Sequence, residues 1–409
     1  MRSYAMKMKW VCGTRSLLAI MMAFVILLFS GANDRLYCEG LELGRFRVSP
    51  KLSVIERYSD NIYLEADNEE DDWYTEITPE IAFDFAFAPR NYLSLKYIGN
   101  FFKYSDADNF DSQHHLGELS WNVESAKGST LVVGASSSEN SIQPYSPTES
   151  SKDYNLSRAF ADVLLMAGQV TAVGVAYEHQ SRRFDEDVFD IDDYDRDQFD
   201  ASIIYGRSQI LPWLLQYRYV KQDNENILSD DDIINRDFET HSIFTGARWL
   251  PSGKVSGAFR VGYTWSDFKE SGIDEFSGFG MDTNVRYMFS PITNITLIAR
   301  REIRPTTFTE RDTGTYYVLT SGGVRLTHHR WERIETELRY YYNHRDFEGG
   351  AFGEEDRTDR EHVAGLTVTY TMRNWIALSL GYQYRNNNSD DEGVDFKENL
   401  VHAGVLLSI

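Results

Sequence analysis

The residues in this chain that could do chemistry are mostly charged, and they occur in two kinds of place. Acidic side chains are clustered, since residues 60–72 and residues 185–195 each contain seven carboxylates. Arginines are instead spread along segments in which apolar and polar residues alternate; Arg260 is one of the polar positions of residues 255–266. Carboxylate clusters offer oxygen ligands to divalent cations, and spaced guanidinium groups offer hydrogen-bond donors to polar ligands.

The acidic clusters allow two interpretations, of which we favour solvated, mutually repelling surface loops over loops that gather divalent cations bridging to lipopolysaccharide. Residues 190–195 lack the central Gly and the terminal Glu of a helix-loop-helix calcium site. We therefore predict no cofactor and no metal site, with loop-bound divalent cations as the alternative. The candidate residues of these external loops are Asp67, Glu69, Glu70, Asp71, Asp72, Asp185, Glu186, Asp187, Asp190, Asp192 and Asp193.

Contiguous motifs for enzymatic chemistry are missing from the sequence. It contains no His-Glu-x-x-His, no Gly-x-Ser-x-Gly, no phosphate-binding glycine loop and no Cys/His spacing typical of zinc sites. The adjacent pairs His114-His115 and His328-His329 would point to opposite faces of a strand and cannot chelate together. We predict a protein without catalytic residues. A lipase or protease triad at the rim of a membrane barrel would leave no contiguous motif, so that alternative stays open.

Composition narrows the class of protein. The 409 residues are 42% hydrophobic and 14% aromatic, with 25 Tyr, 24 Phe, two Cys and a formal net charge of -22. So acidic a chain is a poor partner for nucleic acid, and two cysteines cannot build a disulfide scaffold. A mean hydropathy of -0.44 excludes a polytopic helical membrane protein, which needs several apolar runs of about 20 residues.

The N-terminus has the order of residues found in a secretory signal peptide. Four basic residues precede an apolar run over residues 17–29, and Ser30-Gly31-Ala32 follows it. The run is short for a membrane anchor, because a bilayer core is about 30 Å thick. We predict a cleaved signal over residues 1–32 and a short periplasmic segment over residues 33–44. Cleavage after Gly40 and an uncleaved anchor helix are the alternatives.

Residues 45–409 repeat one pattern, an alternating segment followed by a connection. Ile77, Ile81 and Phe85 alternate with polar or small residues, which is typical of a strand with two different faces. Eight short turns alternate with nine long, mostly acidic loops, which gives 18 strands. We predict one all-β domain, a transmembrane antiparallel up-and-down β-barrel of about 18 strands (16 as the alternative) in the bacterial outer membrane. A soluble β-sandwich or propeller is the other class to exclude.

Two further features favour the membrane. Aromatic residues stand near strand ends, as in the girdles at the two membrane interfaces: Tyr58, Trp73, Trp121, Trp213, Trp249, Trp265 and Trp375. The last segment alternates from Val401 to the chain end, and in this it resembles outer-membrane proteins whose final strand is recognised by the barrel assembly machinery, although Ile409 stands where an aromatic residue is usual. We expect that machinery, outer-membrane lipid and lipopolysaccharide as partners; the oligomeric state stays open.

If the apolar face meets lipid, the other face lines the lumen, because charges are tolerated in water and not against lipid. Barrels of about 16–18 strands leave an aqueous channel unless they are plugged. The alternative for each charged residue is pairing across strands that merely keeps the lumen wet. The candidates that line the lumen are Arg47, Lys51, Arg57, Lys96, Arg218, Arg248, Arg260, Arg286, Arg300, Arg325, Glu335, Glu337 and Arg339. We assign to the same face Lys103, Arg345 and the acidic residues Glu80, Asp84, Asp282 and Glu302.

Three short stretches resemble the first hairpin of the putative β-barrel porin 2 family. They are Val48-Ser49-Pro50-Lys51-Leu52, Tyr58-Ser59-Asp60-Asn61-Ile62-Tyr63 and Ile77-Thr78-Pro79-Glu80-Ile81. Members of such families often accompany exopolysaccharide synthesis and export systems in Gram-negative bacteria. The resemblance therefore implies an outer-membrane conduit for an exported exopolysaccharide, with export components as partners. A general or small-solute porin, leaning to cations because of its acidic loops, and a closed structural or adhesive barrel are the alternatives.

Overall fold

The computed structural model describes residues 40–144, 151–206, 211–225, 227–228, 233–234, 236–249, 253–269, 275–306, 316–348 and 357–408. The predicted signal peptide, Ile409 and parts of several loops lie outside these ranges. Within them, no helix is long and apolar enough to cross a membrane.

Eighteen long antiparallel strands form one sheet, in which each strand pairs with the strands before and after it in the chain. The first and last strands also pair, from Lys51 opposite Ser408 to Ser59 opposite Leu400, so the sheet is closed. The predicted 18-stranded up-and-down barrel is confirmed. The strands are β1 (Phe46–Ser59), β2 (Asp72–Ala88), β3 (Asn91–Tyr104), β4 (Ser112–Glu124), β5 (Thr130–Ile142), β6 (Lys152–Met166), β7 (Thr171–Phe184), β8 (Tyr194–Tyr205), β9 (Trp213–Asn224), β10 (Phe238–Trp249), β11 (Val255–Phe268), β12 (Phe276–Ser290), β13 (Thr293–Pro305), β14 (Tyr316–Arg330), β15 (Ile334–Glu348), β16 (Arg357–Arg373), β17 (Ile376–Ser389) and β18 (Phe396–Ser408).

The strands present one apolar face outward. Ile243, Tyr263 and Phe279 lie opposite one another on β10, β11 and β12, and each is about half exposed. Leu338 and Leu380 are exposed on the same outer surface, at 48% and 61%. Such a belt suits lipid and is unfavourable in water. Because side chains alternate along a strand, the residues between these positions face the lumen.

The connections differ at the two ends of the barrel. Short turns such as residues 89–90 and 291–292 join strands at one end, and the long loops join them at the other. Trp331 and Glu332 both have positive φ, 54° and 62°, in the turn between β14 and β15, as a hairpin turn of the primed type requires. A short strand, Leu41–Leu43, folds back onto β1, so part of the segment predicted as periplasmic joins the sheet.

Four of the long loops are closed by the same contact. An aspartate immediately precedes the next strand, and its carboxylate accepts a hydrogen bond from the backbone N–H of the last residue of the preceding strand, at 2.5 to 2.9 Å. A charged acceptor makes such a bond strong. The aspartates are Asp111, Asp193, Asp237 and Asp395, and their donors are Tyr104, Phe184, Asn224 and Ser389. These carboxylates hold strand ends together, a role that neither interpretation of the acidic clusters anticipated.

Candidate functional site: the barrel lumen

The strand registers define which charged residues face the lumen. Arg260 lies opposite Asp282, and Asp282 lies opposite Arg300, in a row that alternates with the exposed residues Phe259 and Leu297. The same alternation, followed around the sheet, puts all the candidates opposite the outer apolar face: Arg47, Lys51, Arg57, Lys96, Arg218, Arg248, Arg260, Arg286, Arg300, Arg325, Glu335, Glu337 and Arg339.

The assignment of Lys103 to the lumen is wrong. Lys103 lies opposite Thr75, on the same face as Trp73, which is 54% exposed on the outer surface. Its ammonium group binds the carboxylates of Asp108 and Asp111 in the following loop. Lys96 and Lys103 are an odd number of residues apart on one strand, so they point to opposite faces.

One side of the lumen carries an excess of arginine. We call the lumen-facing residues of β8–β14 the cationic wall. It has eight arginines, Arg196, Arg218, Arg248, Arg260, Arg286, Arg300, Arg304 and Arg325, against three acidic residues, Asp200, Asp282 and Glu302. Arg196 and Arg304 are not among the predicted lumen-lining residues, although both occupy polar positions of their alternating segments.

The three acidic residues of the cationic wall neutralise only some of its arginines. Arg218 binds Asp200 at 2.8 Å, and Arg260 binds Asp282 at 3.0 Å. Asp282 is also 3.8 Å from Arg218, so one carboxylate links two arginines. Within the described ranges, the salt bridges of the chain include none made by Arg196, Arg248 or Arg286. This wall therefore presents uncompensated positive charge to the lumen.

The opposite side of the lumen is balanced. We call the lumen-facing residues of β15–β18 and β1–β3 the paired wall. Apart from Arg373, which follows a register shift at the end of β16, and Asp72, the first residue of β2, whose carboxylate accepts hydrogen bonds from the loop after β3, it has eight basic and eight acidic residues. The basic residues are Arg47, Lys51, Arg57, Lys96, Arg339, Arg345, Arg357 and Arg385, and the acidic ones are Glu76, Glu80, Asp84, Glu335, Glu337, Asp359, Glu361 and Glu398.

Part of the paired wall is closely packed around Glu361. Glu361 accepts from Arg385 at 2.9 Å and lies 3.5 Å from Arg345. Arg385 also forms an ion pair with Glu398 at 3.3 Å. The Ser59 hydroxyl donates to Glu398 at 2.8 Å, between β1 and β18, where the barrel closes. Glu361 and Glu398 are each only 6% exposed. The charged groups of this cluster pair with one another and connect the four strands β15 to β18.

Two cavities lie inside the long-loop half of the barrel. The larger, about 550 Å³, lies against β13–β18, and the smaller, about 420 Å³, lies against β7–β9 and β12–β14. Arg300, Arg304 and Tyr317 line both. Strand β13 therefore forms the border between the two cavities.

Loop residues line part of the smaller cavity. Arg236, in the loop after β9, is 3.4 Å from the carboxylate of Asp192 in the loop after β7, and it donates to the carbonyl of Thr306 after β13 at 3.3 Å. The Arg182 guanidinium also donates to the Asp192 carbonyl, at 2.6 Å. Burial lowers the pKa of Arg236, and the neighbouring Asp192 carboxylate opposes this shift. We call Arg236, Asp192 and Thr306 the loop junction. No spacing in the sequence brings these three residues together.

The acidic-loop candidates fall into two groups. Asp67, Glu69, Glu70, Asp71, Asp185, Glu186 and Asp187 are exposed, and Asp190 is half-buried. The favoured interpretation, solvated carboxylates, is wrong for Asp72, Asp192 and Asp193, which are buried and accept hydrogen bonds or an ion pair. Burial raises the pKa of the Asp193 carboxyl, and the hydrogen bond from the Phe184 amide opposes the shift. Among the described residues, no three His, Cys, Asp or Glu side chains are grouped to hold a metal ion.

The sequence as a whole matches a known family. A family model described as "Putative beta-barrel porin 2" covers residues 37–408. The chain belongs to this family. It is an outer-membrane β-barrel with a porin-like channel. The resemblance drawn from the first hairpin is thereby confirmed for nearly the whole chain.

Solved structures of Pseudomonas outer-membrane proteins are similar to this porin 2 family member at low identity. OpdK from Pseudomonas aeruginosa is 11% identical, with 88% of this chain and 99% of that chain covered and a TM-score of 0.48. A BenF-like porin from Pseudomonas fluorescens Pf-5 is 9% identical, with 90% and 100% covered and a TM-score of 0.49. The siderophore receptor PirA from Pseudomonas aeruginosa is 7% identical, with 89% and 80% covered and a TM-score of 0.42. No curated protein matches the sequence.

Proposed function

We propose that this porin 2 family member is the outer-membrane conduit for an exported exopolysaccharide. The observation that supports this most strongly is the polar lining of the lumen from end to end. Arg248 lies one residue before the short-turn end of β10, and Arg304 lies one residue before the long-loop end of β13. A hydroxyl-rich polymer needs hydrogen-bond partners throughout its path, each weak enough to release it.

The association of such families with exopolysaccharide systems adds support for a polymer as the solute. The arginines of the cationic wall and the amides beside them can exchange hydrogen bonds with successive sugar hydroxyl groups. Polysaccharide export components in the periplasm would be the partners at the short-turn end. No step of this function needs a catalytic residue, and the absence of catalysis stays a prediction.

A small-solute porin is the second candidate, and the loop junction favours it. Arg236, Asp192 and Thr306 line the smaller cavity at its long-loop end, and such a contact between loops suits the passage of small molecules better than that of a polymer. The exposed acidic loops predict that such a porin leans to cations.

Deletion of the gene followed by an assay of surface polysaccharide tests the export proposal. We expect the deletion to abolish surface polysaccharide and a plasmid copy to restore it. Normal surface polysaccharide in the deletion strain, together with a loss of uptake of small hydrophilic solutes, would favour the porin instead.

Single-channel recording in planar bilayers separates both candidates from a closed barrel. We expect the purified, folded protein, recognised by its heat-modifiable migration on gels, to conduct ions. A folded protein that does not conduct would contradict the conduit and the porin alike and would favour a structural or adhesive barrel.

A further inference from the structure

Strand β13 carries an Arg-x-Glu-x-Arg sequence whose three charged side chains all face the lumen. Residues two apart on a strand share a face, so Arg300, Glu302 and Arg304 form one row. Glu302 is 2.6 Å from Arg304 and 3.6 Å from Arg300. The three side chains are 36% to 45% exposed, so a solute in the lumen can reach them. One carboxylate thus serves two guanidinium groups.

The row stands at the border between the two cavities, and both cavities have more arginine than acid. The larger cavity is lined by five arginines and two acidic residues, and the smaller by six arginines and three acidic residues. Arg300 and Arg304 belong to both sets. An anionic group that enters either cavity therefore meets the same two guanidinium groups.

Neutral polar side chains surround this positive charge. Ser321 and Asn343 line the larger cavity, and Gln198, Gln222 and Asn224 line the smaller. Hydroxyl and amide groups both donate and accept hydrogen bonds, as sugar hydroxyl groups do, whereas a planar guanidinium group matches a carboxylate. The combination fits a sugar that carries an acid group.

We propose that Arg300 and Arg304 form a binding site for the carboxylate of an acidic sugar residue in the transported polymer. This inference rests on the proposed conduit function and names its substrate class. The solute carboxylate takes the position of Glu302 at one guanidinium group, so one ion pair is exchanged for another. Such an exchange keeps net binding weak, and the polymer can move on to the next arginine of the cationic wall.

The test is block of the ionic current through the full-length channel in planar bilayers. The probes are a trigalacturonate, the neutral maltotriose and inorganic phosphate. We expect the trigalacturonate to block at concentrations at least tenfold lower than the other two. The double variant Arg300→Gln/Arg304→Gln should weaken its block by roughly tenfold or more, since each lost charge-assisted bond contributes that much.

Two variants on the same strand act as controls. Glu302→Gln removes the competing carboxylate, and we expect it to strengthen block by trigalacturonate. Arg301→Gln removes an arginine between the two site residues that faces outward and donates to the Phe279 carbonyl, so we expect it to leave block unchanged. Together they separate the site from a general effect of charge on β13.

Each outcome bears on the inference. The proposed site would be overturned if trigalacturonate blocked the double variant as strongly as it blocks the natural channel. It would also be overturned if maltotriose blocked the natural channel as strongly as trigalacturonate does. Block by phosphate as strong as block by trigalacturonate would overturn the assignment to a sugar. If the double variant does not fold, the Glu302→Gln variant provides the test. Block by trigalacturonate that is unchanged in Glu302→Gln would contradict the proposed site. In all these cases the natural channel still conducts, whereas a folded natural protein without conductance would overturn the conduit itself.

Discussion

The cationic wall and the paired wall are built from the same residue type on the same kind of strand, yet their arginines are placed to do different things. On the paired wall, Arg385 lies between Glu361 and Glu398, whose side chains are each 8% exposed. On the cationic wall, Arg300 and Arg304 share the single carboxylate of Glu302 and are 45% and 40% exposed. The number of acidic neighbours across the strands decides whether an arginine stabilises the barrel or is available to a solute.

Removing one acidic residue from each wall should give the largest difference between them. Glu361→Leu leaves Arg345 and Arg385 without their shared buried partner, and we expect it to lower the free energy of unfolding by about 3 kcal/mol. Glu302→Leu removes a partner that is exposed to the lumen, and we expect a loss below about 1 kcal/mol. Denaturant unfolding in detergent, followed by gel migration, measures both. Equal losses would mean that the two walls do not differ in this way.

The loop junction offers the next largest effect, because it is a buried ion pair placed over the cationic wall. Arg236→Ala leaves the Asp192 carboxylate buried without its arginine, and we expect the loop contact to be lost, at a local cost of about 2–3 kcal/mol. The long-loop mouth should then open wider and single-channel conductance should rise. Arg183→Ala is the matched control, since Arg183 pairs with Asp195 nearby with both side chains more than 40% exposed. A rise in conductance of the same size in both variants would contradict a specific role for the junction.

The strand-end aspartates should give an effect of about 1 kcal/mol. Asp193→Ala removes the acceptor of the Phe184 amide N–H, and we expect that amide to exchange its hydrogen about tenfold faster. Asp187→Ala alters an exposed carboxylate of the same loop and should leave exchange at Phe184 unchanged. Hydrogen-exchange mass spectrometry of the peptide that ends β7 measures the difference. Equal exchange in the two variants would show that the contact does not hold the strand end.

Alternation along the strands was enough to predict the barrel, its 18 strands and the lumen face of residues such as Arg260 and Arg300. The lumen assignment of Lys103 is wrong because the two-residue period was not applied between Lys96 and Lys103, which lie an odd number of positions apart on one strand. Strand alternation could not predict contacts between residues in different loops. Arg236 and Asp192 lie 44 positions apart, and only the folded paths of their two loops bring them together. The division into two walls was equally hidden, since it depends on which strands lie side by side and on how deeply each carboxylate is buried.

The exposed loop carboxylates should have the smallest effect, and that effect should vanish in salt. Asp67→Asn/Glu69→Gln/Glu70→Gln removes three exposed negative charges near the long-loop mouth and should leave stability unchanged. At low ionic strength we expect the reversal potential to move toward anion preference, because fewer cations collect at the mouth. In about 1 M salt the Debye length falls to about 3 Å, and the shift should disappear. Arg300→Gln/Arg304→Gln, in contrast, should shift the reversal potential toward cation preference in low salt and keep part of that shift in high salt, because a solute ion passes in contact with those side chains inside the lumen. If the loop variant keeps its shift in about 1 M salt, then the acidic loops reach the ion path directly and the lumen walls are not the only charged surface that the solute meets.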